Sequence, residues 1–450
     1  MRLVPVLGCA VLVAACTASA DQVRPPDDEI YFPTGIAVAP DETVAFVTSA
    51  NSELRYDSGT VSVFDLQTVD DTIAAWTTRQ EIPSGTCGSD PCCEQDPDHT
   101  ETLVCDESLF INKGAGVRIG NFATDVAIQD LGGGSLRLII PTRGDPSIAW
   151  VNWDGSRLSC NPGGEANALC DDAHRLSYVD NNADLASIPE EPFGVFADSA
   201  GEFAMVTHLT TGAVTLIDSP KNSDNVQVTD VLSGIFAADP SNGLRGATGV
   251  AGRLPNAAGD IIYVGSRSED RVQTFTVGRP VNDAPPFMLP GNWFFLDAVG
   301  GNNGGSSDTR GMQFSIDGSR LYMVNRRPPS MQIWDTSIGP TGFPKNRAVG
   351  ATDICRQAST VAISGSGDAE RAYVSCFQDG QVYVVDPRGK VSVDDIMLVG
   401  RGPYATAAAR QRNRLFVTNF LEDTIAVVDI APNTRTHDRV VLRIGKVKPP

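Results

Sequence analysis

A unit of three strands recurs seven times along the chain, and this repetition constrains the fold more than any other feature. Each copy has an apolar strand, a turn rich in Asp and Gly, a second apolar strand, a polar turn and a third strand that often ends in Asp. The outermost copies are the clearest: PTGIAVAPDETVAFVTSANSELRYDSGTVSVFDL (33–66) and PYATAAARQRNRLFVTNFLEDTIAVVDI (403–430). Five more begin at residues 121, 192, 246, 310 and 358. A fourth strand is predicted at 72–82, 226–234, 292–300, 394–400 and 439–445. Second strands such as RLFV, RLYMV and IIYV are apolar on both faces, as suits strands packed between two neighbours. The expected fold is all-β: a seven-bladed β-propeller of four-stranded antiparallel blades. A chain of 450 residues exceeds one ordinary core, but in a closed array each repeat adds its own layer.

The first residues read as a targeting segment. Met1-Arg2 carries one positive charge, and Leu3 to Ala15 is apolar but too short to span a bilayer. Val13-Ala14-Ala15-Cys16 resembles a bacterial lipobox. That resemblance implies a signal peptide over 1–15 and lipidation of Cys16. The small, polar, Pro-containing residues that follow read as a flexible tether over 16–30, and the repeats as one propeller domain over 31–450. The other reading is an ordinary secretion signal cut near Ala18 or Ala20. The expected location is the bacterial cell envelope, at the outer membrane or facing the periplasm, with the lipid as the only membrane contact. The chain is expected to be a monomer. A net charge of −20 argues against nucleic acid as a partner.

Ten Cys are present, and eight remain beyond Cys9 and Cys16. An even set in an exported chain reads as disulfides. Cys160 and Cys170 flank one short loop, and a Cys355–Cys376 bridge is predicted. Cys87, Cys92, Cys93 and Cys105 share one insertion (83–115), where the adjacent Cys92 and Cys93 are poorly placed to bond each other. A zinc site lacks paired CxxC motifs and has only His99 nearby. No metal and no cofactor are expected.

FVTN (416–419) with DTIAVVDI, and PTGIAVAPDE with GTVSVFDL, resemble the YVTN-type β-propeller repeat, which is similar to the seven-bladed lactonase propellers. The resemblance implies the fold over nearly the whole mature chain. It says little about activity, because one scaffold hosts many functions.

In an up-and-down blade, turns A–B and C–D lie on one face; turns B–C and connections D–A lie on the other. The 83–115 and 159–191 insertions read as D–A connections on that second face. The same face gathers Arg143, His208, Arg267, Arg326, Arg310 and Tyr404. Converging guanidinium groups suit a carboxylate or phosphate. These six are the binding candidates; no residue is assigned as catalytic. Five third strands end in Asp (Asp65, Asp218, Asp335, Asp386, Asp429), which suits turn capping better than chemistry. Asp180, Asn182, Asp184 and Glu191 have calcium-loop spacing, but Leu185 stands where that loop needs Gly. No CxxCH and no GxSxG occur.

Two functions are compatible with this pattern. One is an envelope-anchored binding or scaffold module for a protein partner or a small anionic ligand, presenting the insertion-bearing face. The alternative, by resemblance, is a lactonase-like hydrolase at the channel, with His208 as base and Arg267, Arg310 or Arg326 as the cation.

Overall fold

The computed structural model describes residues 23–144, 146–160, 167–170, 172–177, 188–198, 201–239, 243–253, 260–279, 284–296 and 307–446. Cys16, Asp145 and the calcium-loop positions 180–185 lie outside them.

Seven antiparallel sheets follow one another, each ordered A-B-C-D from the inside out. The A strands are Pro33–Val38, Ala127–Gly132, Pro192–Ala197, Ala247–Gly252, Thr309–Phe314, Ala358–Ser364 and Pro403–Ala409. Apolar clusters join each blade to the next. Val61 and Val63 of blade 1 meet Leu138 and Val151 of blade 2, and so on round to Phe416 and Val427 of blade 7 against Ala45 and Val47 of blade 1. Both faces of every middle strand are therefore buried, which is why those strands read as unbroken apolar runs.

The inner strands align residue for residue. In six blades the first residue of A pairs with the last of B, or in blade 5 the last but one, and pairing resumes three residues later after a bulge: Pro33↔Ser49 then Ile36↔Val47, and likewise from Pro192, Ala247, Thr309, Ala358 and Pro403. In blade 2 the bridge Ala123↔Thr142 takes that place. Hydroxyls one residue before the end of B satisfy the bulge: Thr48 accepts from Gly35 N–H (2.7 Å), Thr207 from Gly194 (3.0 Å) and Thr418 from Ala405 (3.0 Å). Hydroxyls also donate to the next blade's carbonyls, as Thr34 to Ala123 (2.9 Å), Thr124 to Phe193 (2.6 Å) and Thr418 to Thr34 (3.1 Å). The Thr of FVTN is thus part of a belt around the central channel.

Four expectations need correction. Residues 72–82 are not strand D of blade 1: Leu66–Arg79 is a helix. Asp65 caps it by accepting Thr68 N–H (2.7 Å), and Leu66, Val69, Ile73 and Trp76 form its buried stripe. Strand D of blade 1 is Val117–Ile119, paired with Gly59–Val61. The 83–115 insertion is consequently a C–D excursion, not a D–A connection. Of the 159–191 region, Arg175–Ser177 pairs with strand C of blade 2, as does Leu158–Ser159 before it, so it contains the fourth strand. In blade 4 the outer strand is Phe287–Phe295, earlier than predicted.

The excursion closes the ring. Leu103–Cys105 runs parallel to strand D of blade 7 (Arg439–Ile444), and Cys93–Gln95 adds beyond it. Thr102 donates to Val440 O (2.7 Å) and Trp76 Nε1 to Glu101 O (2.9 Å). Residues 28–32 add no strand; Phe32 N–H instead donates to Asp423 (2.6 Å). The predicted Cys355–Cys376 bridge is present, with Cys160–Cys170, Cys87–Cys92 and Cys93–Cys105. The strand-end Asp residues cap turns: Asp335 accepts Ser337 N–H (2.9 Å) and Asp386 accepts Arg388 N–H (3.0 Å). No helix among the described residues is long and apolar enough to cross a membrane.

Candidate functional site

A cavity of about 430 Å³ opens where the A strands begin, at the face of the B–C turns and D–A connections. Its size suits a small molecule. Arg143, Arg310, Arg326 and Tyr404 line it, so four of the six sequence candidates converge there. Arg267 stands beside them: burial, then the neighbouring Arg310 charge, push its guanidinium down. His208 does not line the cavity. Its ring is fully buried, with Nε2 on Thr215 Oγ1 (2.8 Å) and Nδ1 on Glu190 O (3.1 Å), and burial pushes it down to about 4. No residue of the 83–115 insertion lines the cavity either.

The arginines come from blades 2, 4 and 5, with Arg310 and Arg326 both on blade 5. Arg143 opens the B–C turn of blade 2 and pairs with Glu191 (2.5 Å). Arg310, on strand A of blade 5, pairs with Asp308: its Nε lies 2.7 Å from Oδ1, though neither of those two atoms makes a hydrogen bond, and its Nη2 donates to Oδ2 at 3.3 Å. Arg143 Nε is also buried without a hydrogen-bond partner. Arg326 ends strand B of blade 5; its Nε donates to Ala358 O (2.8 Å) and its Nη2 reaches Ser359 Oγ at 3.5 Å, so its partners are neutral. Burial, then Arg310, bring it down to about 10, still cationic at neutral pH. Tyr404 is pushed up by burial, while Arg310, Arg143 and Arg326 oppose this; its hydroxyl therefore lies within the field of all three.

One site residue escapes a reading of local motifs. Third positions of the aligned A strands are Gly35, Asp125, Gly194, Gly249, Gly311, Thr360 and Ala405. A Cβ at Gly194 would sit 2.5 Å from Thr248 O, and one at Gly311 2.7 Å from the Thr360 Cα, so the crowded inner ring favours glycine. Asp125 alone puts a carboxylate there. Its oxygens accept N–H groups of Val126 (2.8 Å) and of Val195 on the next blade (3.3 Å), and no cation pairs with it. Burial pushes it up to about 6 despite those bonds. Lining the blades up exposes this departure; reading the second copy alone does not. Arg310 and Tyr404 likewise depart from the Thr that blades 1, 2 and 4 carry one position earlier.

The mouth thus holds four guanidinium groups (Arg143, Arg267, Arg310, Arg326) against three carboxylates (Asp125, Glu191, Asp308), a positive surplus in a chain of net −20. Depth is apolar, with Val195, Val250, Met312 and Val361 on the wall. Among the described residues no three His, Cys, Asp or Glu come together to hold a metal ion.

No protein-family model and no curated protein matches the sequence. Solved structures do resemble the fold. A putative 6-phosphogluconolactonase from Bacteroides fragilis aligns at TM-score 0.52 and 12% identity, over 90% of this chain and 99% of that one. The Cps50 (Swd1) β-propeller domain of Myceliophteria thermophila aligns at 0.51 and 9%, over 91% and 98%. A protein from Lactobacillus plantarum aligns at 0.52 and 15%, over 74% and 89%. At these identities the likeness shows a shared architecture and nothing about ligand or reaction: the chain is a seven-bladed β-propeller whose structural neighbours include lactonase-like propellers.

Proposed function

We propose that the channel binds a small organic anion bearing a carboxylate or phosphate. The observation that carries this is the set of guanidinium groups with hydrogen-bonding capacity to spare: Arg143 Nε is buried without a hydrogen-bond partner, Arg310 Nε makes no hydrogen bond although it is ion-paired with Asp308, and among the described residues Arg326 bonds only to neutral groups. Buried donors left unmade are costly, and an acidic ligand satisfies them with charge-assisted bonds. The apolar wall beneath favours a ligand with a carbon skeleton over a bare ion. A protein partner is less well supported, since the insertion flanks blade 7 and leaves the mouth bare. We also propose that the chain works outside the cytosol, tethered through Cys16; four disulfides suit an oxidising compartment.

Calorimetry with a panel of carboxylates and phosphates tests the reading. Arg326→Ala is expected to weaken the best binder by about 2–5 kcal/mol, thirtyfold or more, as when one side of a buried charged pair is truncated. Equal affinity in wild type and Arg326→Ala removes the channel as the site.

A second reading is hydrolysis of an acidic lactone. Asp125 favours it: a carboxylate raised towards neutrality, beside cations that can hold an oxyanion, suits a general base. Turnover of a lactone panel should then vanish in Asp125→Asn, and absence of turnover in wild type eliminates this reading.

A further inference from the structure

We propose that Asp125 is a proton-operated regulator of the channel: ionised, it opposes an anion held by the arginines, and protonated, it admits one. This rests on the reading of the channel as an anion site and adds what controls that site.

Position carries the inference. Asp125 is the one carboxylate among the residues lining the cavity, and it shares that lining with Arg143, Arg310 and Arg326. Glu191 and Asp308 sit against Arg143 and Arg310, whereas the oxygens of Asp125 take only backbone N–H groups. An anion entering the arginine cluster therefore meets an uncompensated negative charge in a site partly shielded from water, where like charges repel strongly. A protonated Asp125 removes that charge and gains an O–H that can donate to the ligand.

Among the described residues, the ionisable groups facing Asp125 are guanidinium groups, a phenol and two ion-paired carboxylates. Blade 1 contributes Thr34, Gly35 and Ile36 to the inner ring, and blade 3 contributes Phe193, Gly194 and Val195; none of these titrates. Blade 2 itself supplies Arg143, blade 4 supplies Arg267, blade 5 supplies Arg310 and Arg326, and blade 7 supplies Tyr404, which burial pushes further from neutrality. The D–A connections bring in Glu191 and Asp308, both ion-paired. His208, behind the wall, is pushed down to about 4 by burial and stays neutral between pH 5 and 8. Asp125 is pushed up to about 6 by burial, so its charge changes inside the range.

The sign follows. Below pH 6 the carboxyl is neutral and affinity is full. Above it the competent fraction falls about tenfold per pH unit, to about one part in a hundred at pH 8, and apparent affinity falls with it.

Sulfate, a dianion throughout this range, is the probe. It is titrated calorimetrically into the full chain at pH 5, 6, 7 and 8 at constant ionic strength, in buffers of different ionisation heat. Wild type should bind about a hundredfold more weakly at pH 8 than at pH 5 and take up a proton on binding above pH 6. Asp125→Asn should bind equally at all four values, as tightly as wild type at pH 5, and Tyr404→Phe should keep the wild-type slope. A flat wild-type profile without proton uptake, or an unchanged slope in Asp125→Asn, overturns the regulator while leaving the anion site standing. Failure of sulfate to bind at any pH overturns both.

Discussion

Glu370→Ala is expected to lower unfolding stability by about 3–5 kcal/mol, the range for removing one partner of a buried charged pair. Glu370 is 1% exposed and belongs to blade 6. Arg388 of the same blade donates to it at 2.9 and 3.2 Å, and the Tyr322 hydroxyl of blade 5 donates to it across the blade interface. Burial first, and the Glu370 charge next, push Tyr322 up, so this hydroxyl remains a donor at any working pH. Truncation leaves the Tyr322 hydroxyl buried without its acceptor and the partly buried Arg388 guanidinium with only a 3.5 Å contact to Asp317. The device recurs, because Tyr263 reaches Asn346 (2.8 Å) and Tyr373 reaches Asp438 (3.3 Å), each on the following blade. Tyr322→Phe, which removes only one neutral donor, should lower stability by about 1 kcal/mol. Urea unfolding of the two variants checks both values; equal losses would mean that the Tyr322 hydroxyl alone, and not the ion pair within blade 6, accounts for what Glu370 contributes.

Cys93→Ser with Cys105→Ser is expected to lower stability by about 2–4 kcal/mol and to loosen the ring seam selectively. The Cys93–Cys105 bridge closes a loop of sequence separation 12 and fixes the strand pair that lies on the outer edge of blade 7. Without it, Leu103–Cys105 must hold to Leu442–Ile444 through three residues of parallel pairing and the flanking bonds Thr102 to Val440 and Gly445 to Cys105. Hydrogen exchange should therefore rise at Leu442–Ile444 and leave blades 3 and 4 unchanged. Cys160→Ser with Cys170→Ser, which frees a local loop of blade 2, should not alter exchange at Leu442–Ile444. Unchanged protection there in the first variant would show that blades 7 and 1 close without the clip.

How much was legible in the sequence differs from feature to feature. Middle strands such as RLYMV are buried on both faces, so their apolar runs and flanking Asp-Gly turns mark seven blades without ambiguity. Residues 66–79 carry a helical stripe, Leu66, Val69, Ile73 and Trp76, but TIAAW also reads as a β-rich run, and the expectation of a fourth strand favours that reading. From that single misassignment follows the wrong face for the insertion. The clip itself has no local signal: residues 103–105 and 442–444 lie about 340 positions apart in the chain, and a parallel pairing of three residues leaves no pattern in either. Arg143, Arg310, Arg326 and Tyr404 were reachable because strand order alone sends strand ends to the channel mouth. His208 obeys the same rule, yet its ring turns into the wall to meet Thr215 and Glu190. Asp125 was legible only by comparing blades, as a carboxylate at a position otherwise filled by Gly, Ala or Thr.

The central claim is that the channel mouth is built to hold an anion. Crystals grown at pH 5.5 and soaked in selenate, with data collected at the selenium edge, test it most directly. The account predicts an anomalous peak inside the channel, within hydrogen-bonding distance of Arg326 and at least one of Arg143 and Arg310. Peaks confined to the outer surface, with Arg326 still bonded only to Ala358 and Ser359, would contradict it.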